Sequence, residues 1–126
     1  MVLGIPLKIT KIEIRTGVIV LEMIGQIYMG PDCQRIQQEV EELLGRSEKR
    51  LIFDLERVSY VDSSGVGAIV KCFSTLKKSG GSLRLAGVNG MIASVLKMAK
   101  VDKFIEIYPT AVEAAGNFLP AGEAEG

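Results

Sequence analysis

The residues whose types could do chemistry are concentrated in Asp62-Ser63-Ser64-Gly65-Val66-Gly67. Serine hydroxyls and an aspartate carboxylate cap helices, because their oxygens accept the unpaired N–H groups of a first turn. Those free donors, together with the helix dipole, also favour negative charge at the same point. The residue types therefore leave two readings open, a plain cap and a hydroxyl placed for an anion. If the chain carries a chemical switch, it sits here. Gly65 and Gly67 fall in the first turns of the helix that follows, where each costs about 1 kcal/mol relative to alanine. Either the turn packs closely on its own sheet, or a partner's backbone approaches where a side chain would block it. Both can hold at once.

The elements that must position this stretch are legible on either side of it. Leu51-Ile52-Phe53-Asp54-Leu55 is an apolar run bounded by charge and predicts a buried strand. Val66, Ile69, Phe73 and Leu76 recur at helical spacing and predict a helix over 64–79, ended by Gly80-Gly81. Cys72 lies beside that stripe and reads as a small core residue rather than a reactive thiol. Upstream, residues 7–15 and 18–24 read as two strands joined by a turn at Thr16-Gly17, an antiparallel hairpin. Residues 25–30 read as a loop, in which Tyr28-Met29 is a candidate partner contact. Pro31 opens a helix over 31–44 whose Ile36, Val40, Leu43 and Leu44 face the sheet.

Downstream, residues 83–86 predict a strand, and Ile92, Val95, Leu96 and Ala99 predict a helix flanked by Met91 and Met98 as core or rim. Residues 104–108 predict a last strand, and Thr110 with Glu113 a capping box for a helix over 111–118. Lys77-Lys78 reads as a solvated helix end favoured by the dipole. Strands alternating with helices after residue 31 imply parallel pairing through crossovers, so the fold class is α/β with a mixed sheet. The domain is expected over 1–118, with 119–126 a small, acidic, disordered tail.

An apolar strand, then Val-Asp-Ser-Ser-Gly-Val-Gly, then a helix ending at Lys77-Lys78-Ser79-Gly80-Gly81, resembles a STAS domain. Within that family it resembles the stand-alone anti-sigma factor antagonists. The similarity runs on through residues 83–86, Val95-Leu96 and Phe104-Ile105-Glu106-Ile107, and covers residues 8–118. It implies a mixed sheet, the N-terminal hairpin plus parallel strands, packed with about four helices. It also implies a partner switch. The unphosphorylated protein binds an anti-sigma factor serine kinase and the serine-phosphorylated protein lets go, with a PP2C-type phosphatase to reset it. The match places the phosphoacceptor at Ser63, within a partner-binding set of Asp62, Ser63, Ser64, Gly65, Gly67, Gln26 and Tyr28. One departure stands out. Many family members carry acids in a Gly-[acid]-x-Asp pattern after the second strand, where this chain has Gly25-Gln26-Ile27-Tyr28. Contacts that need those carboxylates do not carry over. That keeps alive a second expectation, a STAS subunit of a lipid-transport ATPase complex or a stress-sensing complex.

Composition narrows the classes further. The 126 residues suffice to bury a core without staples. Lys plus Arg equals Asp plus Glu at 15 each, which gives no basic excess for nucleic acid. Cys33 and Cys72 are too few for a disulfide framework or a CxxC metal site. Histidine is absent, and with it the commonest general base and metal ligand. There is no phosphate-loop motif and no nucleophile elbow, which counts against a nucleotide-hydrolysing protein. No catalytic residue, metal or cofactor is expected. No apolar run is long enough for a signal peptide or membrane insertion, so the expected location is cytoplasmic.

Overall fold

The computed structural model describes residues 6–116 and 118. The expected tail at 119–126 and most of the N-terminal lead-in lie outside them. Strands β1 (Lys8–Arg15) and β2 (Val18–Ile27) form the antiparallel hairpin. Helix α1 (Pro31–Gly45) follows, then β3 (Arg50–Val61) and α2 (Ser63–Lys78). The chain continues through β4 (Ser82–Ala86), α3 (Gly90–Met98), β5 (Ile107–Tyr108) and α4 (Ala111–Gly116). Sheet order is β1-β2-β3-β4-β5, and every pair after the hairpin is parallel. This is the expected α/β mixed sheet with four helices.

β3 is the axis of the molecule because both of its faces are covered. Leu51, Phe53 and Leu55 point into a large core with Ile36, Val40, Ile69, Leu76 and Leu96. Ile52 points the other way, into a smaller core of Val18, Val20, Ala86, Ala114, Ala115 and Phe118. Three apolar residues in succession, Leu51, Ile52 and Phe53, are what such a strand requires. Cys72 is buried in the large core, and burial pushes its thiol up to about 12. The thiolate is favoured only in the unfolded chain, so stability is full below an unfolded value near 9.0 and falls as pH rises toward 12. At neutral pH, iodoacetamide is expected to leave Cys72 unmodified in the folded protein and to alkylate it in denaturant. Rapid native labelling, read by mass spectrometry, would contradict this placement.

Several expected boundaries move. β2 runs through Ile27 and β3 through Val61, pairing Gln26 with Tyr60 and Ile27 with Val61. The apolar run had ended at Leu55, but two bulges let β3 carry Glu56, Arg57 and Ser59 while Val58 and Val61 stay buried. Gly25, expected to begin a loop, sits inside β2 at φ +123°, a conformation that side chains rarely adopt. The expected last strand over 104–108 shrinks to Ile107 and Tyr108. Residues Val101–Lys103 form a 3₁₀ turn that is prolonged by Ile105 N–H donating to the Val101 carbonyl at 3.0 Å. Val101 and Ile105 both enter the core, which holds Phe104 off the sheet. Met98 is 82% exposed and Met91 half-exposed, so the core reading of these two is corrected. Ala99 is exposed as well.

Candidate functional site

At the C-terminal ends of β2 and β3 two helix N-termini meet, those of α1 and α2. Asp62 joins them. Its backbone is extended, and its N–H donates to the Ile27 carbonyl at 3.2 Å, so it prolongs the ladder by one residue. One carboxylate oxygen accepts the Gly65 N–H at 2.8 Å and caps α2. The other accepts the Met29 N–H at 3.0 Å and ties down the loop before α1. Asp32 accepts the Tyr28 N–H at 3.2 Å, and the Cys33 thiol donates to the Tyr28 carbonyl at 3.2 Å. Burial, and then the Asp62 and Asp32 charges, hold that thiol above its usual range. The loop is therefore pinned at Tyr28 and Met29 by two carboxylates and a thiol.

With Asp62 as the cap, the serines are released from that duty. Ser63 is the first residue of α2; it is exposed, and its hydroxyl has no hydrogen-bond partner among the described residues. Ser64 is half-buried. The two glycines separate cleanly. A Cβ on Gly65 would lie 2.7 Å from Val61 Cγ1 and 2.9 Å from Ile27 Cγ2, so Gly65 seats the helix on the sheet. A Cβ on Gly67 would meet nothing within 4 Å, and the residue is exposed. Close packing accounts for Gly65 and leaves Gly67 as open surface.

Gln26 and Tyr60 face each other on neighbouring strands, both exposed, while their neighbours Ile27 and Val61 turn into the core. The Tyr28 ring packs on Tyr60 with centroids 5.2 Å apart, and Met29 beside it is 71% exposed. The sequence reading missed Tyr60, Asp32 and Cys33. Tyr60 stands one place before Val61 and so had to point outward once β3 reached that far. The predicted set therefore divides. Asp62, Ser63, Ser64, Gly65 and Gly67 form one turn, Tyr28 adjoins it through the loop, and Gln26 lies on the sheet beyond.

The roles of Asp62 are separable by one substitution. An asparagine keeps a single acceptor oxygen, so it can serve Gly65 or Met29 but not both. Asp62→Asn is expected to retain the cap, worth about 1 kcal/mol, and to release the loop. Hydrogen exchange should speed at Met29 and stay slow at Gly65. Equal protection at both amides would contradict the two-sided carboxylate.

Among the described residues no group of His, Cys, Asp and Glu could hold a metal ion. No helix among them is long and apolar enough to cross a membrane. A family model for the STAS domain matches residues 10–114. The chain belongs to the STAS domain family. It is 26% identical over 105 residues to the anti-sigma F factor antagonist of Paenibacillus polymyxa, across 82% of this chain and 89% of that one. Over 53 residues it is 36% identical to the anti-sigma-B factor antagonist of Bacillus subtilis (strain 168), across 42% and 49% of the two chains. Among solved structures, an anti-sigma factor antagonist from Mycobacterium paratuberculosis matches with a TM-score of 0.77 at 22% identity, over 90% and 97% of the chains. The phosphorylated form of the Bacillus cell fate determinant SpoIIAA matches at 0.69 and 18% identity, over 86% and 97%. At such identities these two structures speak for the STAS fold.

Proposed function

We propose that this STAS domain is an anti-sigma factor antagonist. It binds an anti-sigma factor serine kinase through the turn of Asp62, Ser63, Ser64, Gly65 and Gly67, together with Tyr28 and Gln26. Phosphorylation of Ser63 releases the kinase, and a PP2C-type phosphatase restores binding. The domain works in the cytoplasm and has no catalysis of its own. The observation that carries this reading is the exposed Ser63 hydroxyl, left without a partner among the described residues because Asp62 caps the helix. The names of its relatives point in the same direction.

A second reading has its own observation. The stretch Gly25-Gln26-Ile27-Tyr28 carries no acid, and Tyr28, Tyr60 and Met29 present rings and a thioether instead. A surface of that kind suits a STAS subunit of another assembly, such as a lipid-transport ATPase complex or a stress-sensing complex. Affinity capture with Ser63→Ala as bait decides between the two. Recovery of a GHKL-type kinase that phosphorylates the unmutated protein on Ser63 is expected. A transporter ATPase, or a large assembly with no kinase, would replace the first reading with the second.

A further inference from the structure

At the opposite pole from Ser63 the sheet is left incomplete. β5 pairs with β4 only at Leu85 and Ala86, so among the described residues the edge of β4 at Ser82, Leu83 and Arg84 lacks a strand on that side. The 3₁₀ turn and the buried Ile105 carry the chain away from that edge, and a cleft of about 330 Å³ opens where β5 would have continued. Phe73 and Phe104 wall one side, with ring centroids 5.5 Å apart. Phe118 also contributes to the lining but is itself buried, its ring covered by the Arg84 guanidinium 3.9 Å from the centroid.

The charges in the cleft are uneven. Arg84 is engaged, pairing with Glu106 at 3.0 Å and donating to the Ala114 carbonyl at 2.9 Å. Arg50 and Lys77 also line the cleft, and neither has a carboxylate partner among the described residues. Lys77 rests over the Phe73 ring at 5.8 Å. Among the described residues two cations are thus uncompensated, beside the Phe73–Phe104 wall and a strand edge with backbone groups to offer. The volume lies at the lower end of the range for small-molecule sites. The free edge spans three residues, roughly 10 Å, which is short for a docked strand.

From this geometry we infer that the cleft is a ligand site for a small organic anion with a flat apolar body, such as an aromatic carboxylate. The ring lies against the Phe73–Phe104 pair, where aromatic stacking is favourable. The anionic group is held by Arg50 and Lys77, the arginine offering a planar fork that matches a carboxylate. Nothing in this assignment depends on Ser63 or on the identity of the protein partner.

Naphthalene-2-carboxylate is a suitable probe, titrated into the isotope-labelled full chain and followed by amide spectra. Saturable shifts are expected at residues 79–84 and 104–106, with 62–67 unmoved. The neutral analogue 2-naphthalenemethanol should bind at least tenfold more weakly. The exposed substitution Lys77→Gln should weaken the carboxylate severalfold, and Arg50→Gln with Lys77→Gln at least tenfold, while both variants keep the wild-type spectrum elsewhere. No shifts at millimolar probe, equal binding of the neutral analogue, or wild-type affinity in the double variant would each overturn the assignment. So would binding that appears only after Glu123→Gln and Glu125→Gln, because the chain's own acidic end would then be the occupant.

Discussion

Gly67→Arg is expected to abolish partner binding in a domain that remains folded, whereas Gly65→Ala is expected to damage the fold itself. The contrast follows from what surrounds two glycines in one helix. At Gly67 a new side chain meets nothing within 4 Å, and arginine is the better helix former by about 1 kcal/mol. Melting should therefore hold or rise slightly. A long cation standing out of the first turns would, however, keep any partner off Ser63. At Gly65 even a methyl group is forced against Val61 and Ile27, with the Ile27 carbonyl at 3.1 Å. Both neighbours are β-branched, stiff and fully packed, so they yield little. Overpacking of this kind costs about 1–3 kcal/mol, more than the roughly 1 kcal/mol that alanine returns in helix propensity. Thermal melting and partner binding, measured together on both variants, check this. A folded Gly67→Arg that binds normally would remove the turn from the interface.

Much of this is legible in the sequence. The strand at residue 51, the helix after residue 63 and the cap chemistry between them are local signals, set by apolar runs and by residue types that satisfy free N–H groups. What stayed hidden depended on distant partners. The extent of β3 past Leu55 is fixed by two bulges against β2, and bulges leave no periodicity. Residues 104–108 read as a five-residue strand, being apolar or aromatic on either side of Glu106. Burial of Val101 and Ile105 beneath a 3₁₀ turn withdrew most of it. The two glycines were indistinguishable in sequence, because the difference lies in Val61 and Ile27 across the sheet. Which group caps α2 was equally undecidable from Asp-Ser-Ser, since all three residues can do it.

The second large effect is the phosphate. A phosphoserine adds about −1.5 to −2 charge and three acceptor oxygens. At Ser63 it arrives exposed, at a helix N-terminus that favours anions, so the domain need not rearrange to accept it. Beside it, the Asp62 carboxylate already holds the Gly65 and Met29 N–H groups, which leaves the phosphate largely to solvent. A partner packed on the turn has no such freedom. It must strip water from the dianion and bring it against Asp62, and burying an unmatched charge costs several kcal/mol. At 1.4 kcal/mol per tenfold, that is a loss of roughly a hundredfold or more in affinity. Ser63→Asp should mimic it in part, since one carboxylate is a poor copy of phosphate. Ser63→Ala should bind without regulation, and Ser64→Ala should still be modified.

Phosphate on Ser63 is expected to release the partner locally, without refolding. The most direct measurement is partner affinity before and after stoichiometric phosphorylation by the captured kinase. The modified residue is mapped by mass spectrometry, and amide spectra are compared. The expected result is phosphate on Ser63, affinity reduced by about a hundredfold or more, and shifts confined to residues 27–33 and 60–68. Phosphate on Ser64, unchanged affinity of the Ser63-modified protein, or shifts spread through α3 at Gly90–Met98 would contradict it.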